Sequence, residues 1–193
     1  MESVIVTVGA SVEIAAPPTE VFALVSDAQA KARLNPFVQV IRIEPETPGP
    51  LCEGSVTFFR LQKGKRIFEY RTRCRRFVAD RLLENQAELP NLFRVRVEVA
   101  PIPGGTRLTQ EEECEIAPEM LEGLPVSRRT ERAWHAIKIL NLVLPALGRE
   151  AYSVILRERA ETLKITLRRE LWVWLQAIKE QLETGAERRA VVR

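Results

Sequence analysis

The feature that most constrains this chain is a change of hydrophobic period near residue 119. Before it, apolar residues recur at every second position. After it, they recur every three or four. Val4, Val6, Val8, Ala10, Val12 and Ile14 fall on one side of residues 4–14, with Ile5, Thr7, Ser11 and Glu13 on the other. That alternation predicts a half-buried strand, and Gly9 inside it marks a bulge or bend. Six more strands are expected at about 37–44, 54–62, 66–78, 81–89, 92–100 and 106–117. Their ends carry turn residues: Pro45 to Pro50, Lys63-Gly64-Lys65, Pro90, and Pro103-Gly104-Gly105. Two short helices interrupt the series after the first strand. One follows Pro17-Pro18 to about Ser26 and buries Val21, Phe22 and Val25; the other, 28–34, stops before Asn35-Pro36 because a residue preceding proline avoids the α region.

Beyond residue 119, a very apolar segment near 128–144 holds Trp134 and His135, and Pro145 and Gly148 are expected to break it. A second helix is expected from about Arg149 to Glu183. Leu156, Ala160, Leu163, Leu167, Leu171, Trp174, Ile178 and Leu182 make its apolar stripe. A helix that long should outrun a small sheet, so its end is expected to project or bind something else, with a frayed tail after Gly185. A strand, two short helices, an antiparallel run and a long helix describe one α+β domain.

Composition removes several function classes. A net charge of +3 over 193 residues gives no strong case for nucleic acid, which usually needs a clustered basic face. Cys52, Cys74 and Cys114 are widely spaced, so they are expected as buried free thiols in a reducing cytoplasm, not as a zinc or disulfide framework. No leader and no spanning helix are expected. His135 is the only histidine, which leaves no multi-histidine metal site and makes a Ser-His-Asp triad improbable. No phosphate-cradling glycine loop precedes a helix. Neither a metal nor a cofactor is expected.

Four segments carry a family resemblance. They are Val12-Glu13-Ile14-Ala15-Ala16-Pro17-Pro18-Thr19-Glu20-Val21-Phe22; Leu34-Asn35-Pro36, with leucine where the family has tryptophan; Gly104-Gly105-Thr106-Arg107-Leu108-Thr109; and the helix from Arg159 to Leu171. Over about residues 3–170 the chain resembles the START-like (SRPBCC) superfamily, in particular its polyketide cyclase/dehydrase and lipid-transport group. The resemblance implies a helix-grip fold, a curved antiparallel sheet around a long C-terminal helix. Residues 1–171 would form that domain, and 172–193 a helical extension and tail. It also implies an internal cavity for a hydrophobic molecule. Mapped onto that geometry, the alternation points Phe68, Tyr70, Thr72, Cys74, Phe93, Val95, Val97, Val99, Leu108, Gln110, Glu112, Cys114 and Ile116 inward. A slip of one residue would invert the assignment.

Function stays open among three readings. The first is a carrier of a lipid, polyketide or isoprenoid. The second is a cyclase or dehydratase in which Glu112, its pKa raised by burial, acts as acid or base while Tyr70 bonds a carbonyl. Against that, Glu112 could sit at the open end of the sheet or pair with an arginine. The third is a homodimer or partner-binding module built on the long helix and the Trp172-Val173-Trp174-Leu175 cluster. Peripheral membrane contact stays open through that cluster and through Lys63, Lys65, Arg66, Arg71, Arg73, Arg75 and Arg76. The plainer reading of these charges is a solvated outer sheet face.

Overall fold

The computed structural model describes residues 3–89, 92–117 and 145–191. The expected 128–144 helix, with Trp134 and His135, lies outside the described residues. Seven strands form one sheet: β1 (Val4–Ile14), β2 (Gln39–Pro45), β3 (Val56–Lys63), β4 (Arg66–Val78), β5 (Leu82–Ala87), β6 (Phe93–Ile102) and β7 (Gly105–Ile116). Their order is β1-β7-β6-β5-β4-β3-β2, so the first and last strands are neighbours. Every step from β2 to β7 is antiparallel. The helices are α1 (Pro18–Ser26), α2 (Ala28–Arg33) and α3 (Pro145–Val191). This is the helix-grip class, a curved open antiparallel sheet with a long C-terminal helix.

The chain divides into two compact units, one of Met1–Val6 with Glu115–Leu167, the other of Thr7–Cys114 with Arg168–Arg193. In the first, Val6, Ile116, Leu156 and Ala160 are buried, and the Ser3 hydroxyl donates to the Glu115 carboxylate. The second holds most of the sheet.

Local chemistry accounts for the joints of the second unit. Pro18 opens α1, where its missing N–H costs nothing, and Glu20 lies in the positive first turn. The Asp27 carboxylate caps α2, accepting from the backbone N–H groups of Gln29 (3.0 Å) and Ala30 (2.9 Å). Gly104 turns the β6–β7 hairpin at φ 81°, which an L side chain rarely adopts. Gly105 is required for a different reason: a Cβ there would lie 2.1 Å from the Ile14 carbonyl oxygen. Beside it the buried Thr106 hydroxyl donates to the Ala16 carbonyl at 2.6 Å, which ties β7 to the start of α1.

Several expectations need correction. β1 runs unbroken through Gly9; register shifts occur instead between Val40 and Arg42 and between Cys74 and Arg76. The second shift restarts the alternation of β4, so that Phe77, opposite Leu83, follows Cys74 on the inner face. Whether Pro145 ends the 128–144 segment lies outside the described residues, but α3 is already helical at Gly148, before the expected start at Arg149, and continues through Gly185 to Val191. A single glycine inside a long helix costs only about 1 kcal/mol. α3 packs against the rest of the second unit as far as Glu183. Leu171, Leu175, Ile178 and Leu182 are buried, the Lys179 ammonium donates to the Glu13 carbonyl at 2.6 Å, and Glu183 accepts from the Ala15 N–H at 2.9 Å. Cys52 is exposed, not buried, while Cys74 is buried and Cys114 half-buried.

The outer face of the sheet is a lattice of exposed ion pairs. Arg60–Glu69 (3.0 Å), Arg71–Glu46 (2.8 Å), Arg73–Glu88 (2.6 Å) and Arg94–Glu113 (2.9 Å) tie it together. Such pairs each contribute about 0–1 kcal/mol. Two arginines of the basic stretch are thus paired, and Lys63 pairs with Glu170.

Candidate functional site

Strand pairing places the inner-face residues of the second unit in rows. Glu112 stands opposite Val95, Val95 opposite Asn85, and Asn85 opposite Cys74. The next row towards the β6–β7 hairpin is Gln110, Val97, Leu83 and Phe77. On the other side Cys114 faces Phe93, and further along Tyr70 faces Phe59 and Phe68 faces Leu61. Phe59 and Tyr70 stack with centroids 5.2 Å apart, and Tyr70 meets Phe93 edge-on at 6.2 Å. Val97, Leu108, Thr72 and Cys74 are buried; Phe93 and Val95 are half-buried; Phe68 shares the face but is 42% exposed.

Glu112 is the electrostatic centre of this face. Its carboxylate accepts one hydrogen bond, from the Gln110 side-chain amide at 2.7 Å. No arginine pairs with it among the described residues, and burial pushes its pKa up. Gln110, Lys31 and Lys63 pull the other way, more weakly. Burial also raises the pKa of the Tyr70 phenol, and the Glu112 charge adds to it. Cys114 rises to about 11, from burial first and then from Glu112 and Glu113, so it is no ready thiolate. Tyr70 and Glu112 are therefore held towards their protonated, hydrogen-bond-donating forms.

Sequence reasoning missed Lys31. It is 8% exposed, and burial lowers its pKa to about 8 despite the opposing pull of Glu112. Its ammonium lies 5.1 Å from the centroid of the Trp174 ring, while the Trp174 indole N–H donates to the Lys31 carbonyl at 3.0 Å. Nothing in Ala-Gln-Ala-Lys-Ala-Arg signals this, because the partner is 143 residues away. Asn85 was missed too, although its phase with Leu83 and Ala87 was readable.

Among the described residues Gln110 Oε1 is fully buried without a donor, an exception to the rule that buried polar groups are satisfied. The Lys31 ammonium, the Tyr70 hydroxyl and the Asn85 amide make no hydrogen bond among the described residues, but none of them is a fully buried unpartnered atom. No group of three or more side chains suited to a metal ion occurs among the described residues. No described helix is long and apolar enough to cross a membrane. A separate concavity of about 680 Å³ lies at the β4–β5 turn, between Arg76, Asp80, Arg81, Glu98 and Pro101; of the expected inner-face residues only Val99 touches it.

The sequence model of the family described as polyketide cyclase / dehydrase and lipid transport matches residues 6–138. Among solved structures, TTHA0849 from Thermus thermophilus is 11% identical over 93% of this chain and 98% of its own, with a TM-score of 0.56. The Polyketide_cyc-like protein Cgl2372 from Corynebacterium glutamicum is 21% identical, covering 96% of each chain, with a TM-score of 0.51. At these identities the likeness shows the fold. No curated protein is significantly similar to the chain.

Proposed function

This chain belongs to the polyketide cyclase/dehydrase and lipid-transport family, and from that premise we propose that it binds a hydrophobic small molecule, a lipid, polyketide or isoprenoid, against the inner face of the second unit's sheet. The carrying observation is the half-buried apolar surface of Phe59, Tyr70, Phe93 and Val95 beside a few polar groups, Tyr70, Glu112 and Gln110, the last with an Oε1 that is buried without a partner among the described residues. Apolar walls with a few convergent polar groups are the usual makeup of a ligand site. The walls supply affinity at roughly 25 cal/mol per Å² of apolar area covered, and the polar groups fix orientation. Native mass spectrometry of freshly purified protein, with organic extraction, tests the reading. A co-purifying apolar molecule supports it. A protein that is empty and also fails to bind the neutral probe N-phenyl-1-naphthylamine counts against it.

A second reading has its own observation. Glu112, with its raised pKa, and the protonated Tyr70 phenol would suit acid–base work in a cyclisation or dehydration of the same ligand. Glu112→Gln separates the two: a carrier keeps its binding, whereas an enzyme loses turnover of a polyketide-like substrate.

A further inference from the structure

We infer that the ligand of this face is an amphipathic acid whose carboxylate is held by Lys31, so that Lys31 selects anionic over neutral apolar molecules. The inference rests on the proposed ligand-binding reading and names the chemistry of the ligand's polar end.

The argument begins with a deficit. A lysine ammonium carries three donors, and a buried one requires acceptors or a counter-ion. Lys31 has no hydrogen bond and no contact ion pair at its ammonium among the described residues; its close contact is the Trp174 ring, and Glu112 acts on it only as a neighbouring charge. A cation–π contact returns only about 0.5–2 kcal/mol and leaves the N–H groups unmet. Lys31 is held in place nonetheless. Asp27 caps its helix, and the Trp174 indole grips its carbonyl. A fixed, 8%-exposed side chain whose ammonium meets no acceptor among the described residues can receive an anion.

The surroundings define which anion. Glu112 is the common neighbour, acting electrostatically on both Lys31 and Tyr70 and bonded to Gln110. Burial moves Glu112 towards its neutral acid, in which state it donates a proton to a bound oxygen instead of repelling it. The Tyr70 phenol is a second donor, stacked on Phe59 and edge-on to Phe93, so the polar end of the site opens directly onto aromatic surface. Gln110 spends its amide N–H on Glu112. One cation with flanking O–H donors, beside apolar walls, fits a monocarboxylate with a hydrocarbon tail. A phosphate would bring a second charge to a single lysine.

The test compares cis-parinaric acid with its methyl ester by fluorescence titration of the full chain at pH 7. A charge-assisted hydrogen bond contributes about 1.5–3 kcal/mol, so the acid should bind about tenfold more tightly than the ester, or better. Lys31→Met should remove most of that preference while leaving ester affinity within about twofold, and retained ester binding shows that the variant is folded. Lys31→Arg should keep much of the preference. Equal affinities for acid and ester in the wild type, or an unchanged acid affinity in Lys31→Met, would overturn the inference while ester binding upheld the broader reading. Failure of both probes to bind would count against both.

Discussion

The inner face of the sheet differs sharply between its two ends. On β7, Leu108 and Gln110 are 0% exposed, whereas Glu112 and Cys114, further along the same face, are half-buried. β6 repeats the gradient, with Val99 and Val97 buried and Val95 and Phe93 half-buried. So does β4, from buried Cys74 and Thr72 through half-buried Tyr70 to exposed Phe68. Alternation and residue type are similar at both ends, so the difference comes from what lies on top. At the closed end α1 supplies Val21, Phe22 and Val25, with Phe22 edge-on to Phe77 at 5.5 Å, and Lys179 and Glu183 fasten the last turns of α3 to Glu13 and Ala15. At the open end no described element covers the aromatic surface in the same way, and it is there that the proposed ligand would lie.

Substitutions should break that contrast in graded steps. The largest loss is expected at the closed end. Leu108→Ala removes a fully buried side chain and should lower stability by about 2–5 kcal/mol in chemical denaturation; a loss under about 1 kcal/mol would mean the closed end is not a packed core. The next effect has the opposite sign. Lys31→Met keeps the apolar stem and removes a charge that the fold holds at a cost, so stability should rise by on the order of 2 kcal/mol at pH 7. The sign follows from a folded pKa lowered from 10.5 to about 8. The folded state binds its proton less tightly than the unfolded state does, so the wild type is penalised below about pH 8 and recovers as pH rises towards 10.5. The advantage of methionine should therefore be full below pH 8 and fade above it. Tyr70, Cys114, Lys63 and Glu170 surround Glu112, the carboxylate that acts on Lys31, and Glu112→Gln is the control that separates the titration of Glu112 from that of Lys31. A variant that is more stable yet poorer at binding acids would mark Lys31 as retained for function.

Smaller effects mark the border between the two ends. Trp174→Phe deletes the hydrogen bond to the Lys31 carbonyl and should cost about 1 kcal/mol. Trp172→Ala alters a side chain 50% exposed, and Phe68→Ser one 42% exposed; each should stay within about 0.5 kcal/mol in stability. Phe68→Ser should nevertheless weaken N-phenyl-1-naphthylamine binding. Unchanged probe affinity would move the ligand away from the open end.

Much of this architecture was legible in the chain. The turns at Gly64 and Gly104, the stop before Asn35-Pro36 and the strand phases of β1, β4, β6 and β7 follow from local sterics and a period of two, which a few adjacent residues specify. The inner-face phase of Tyr70, Gln110 and Glu112 was readable for the same reason. Three features were not. Gly148 and Gly185 suggested helix ends, but the unbroken α3 passes through both. The register shift after Cys74 brings Phe77 inward, and nothing in a run of arginines announces it. Lys31 reads as an ordinary surface lysine.

Sequence by itself determined which residues could share a face, because alternation and turn chemistry act over a handful of neighbouring bonds. Tertiary structure alone decided which part of that face is closed, that Trp174 grips the Lys31 backbone from 143 residues away, and that the Gln110 carbonyl is left bare. Burial and desolvation depend on groups that are close in space but distant in the chain, and no local pattern encodes them.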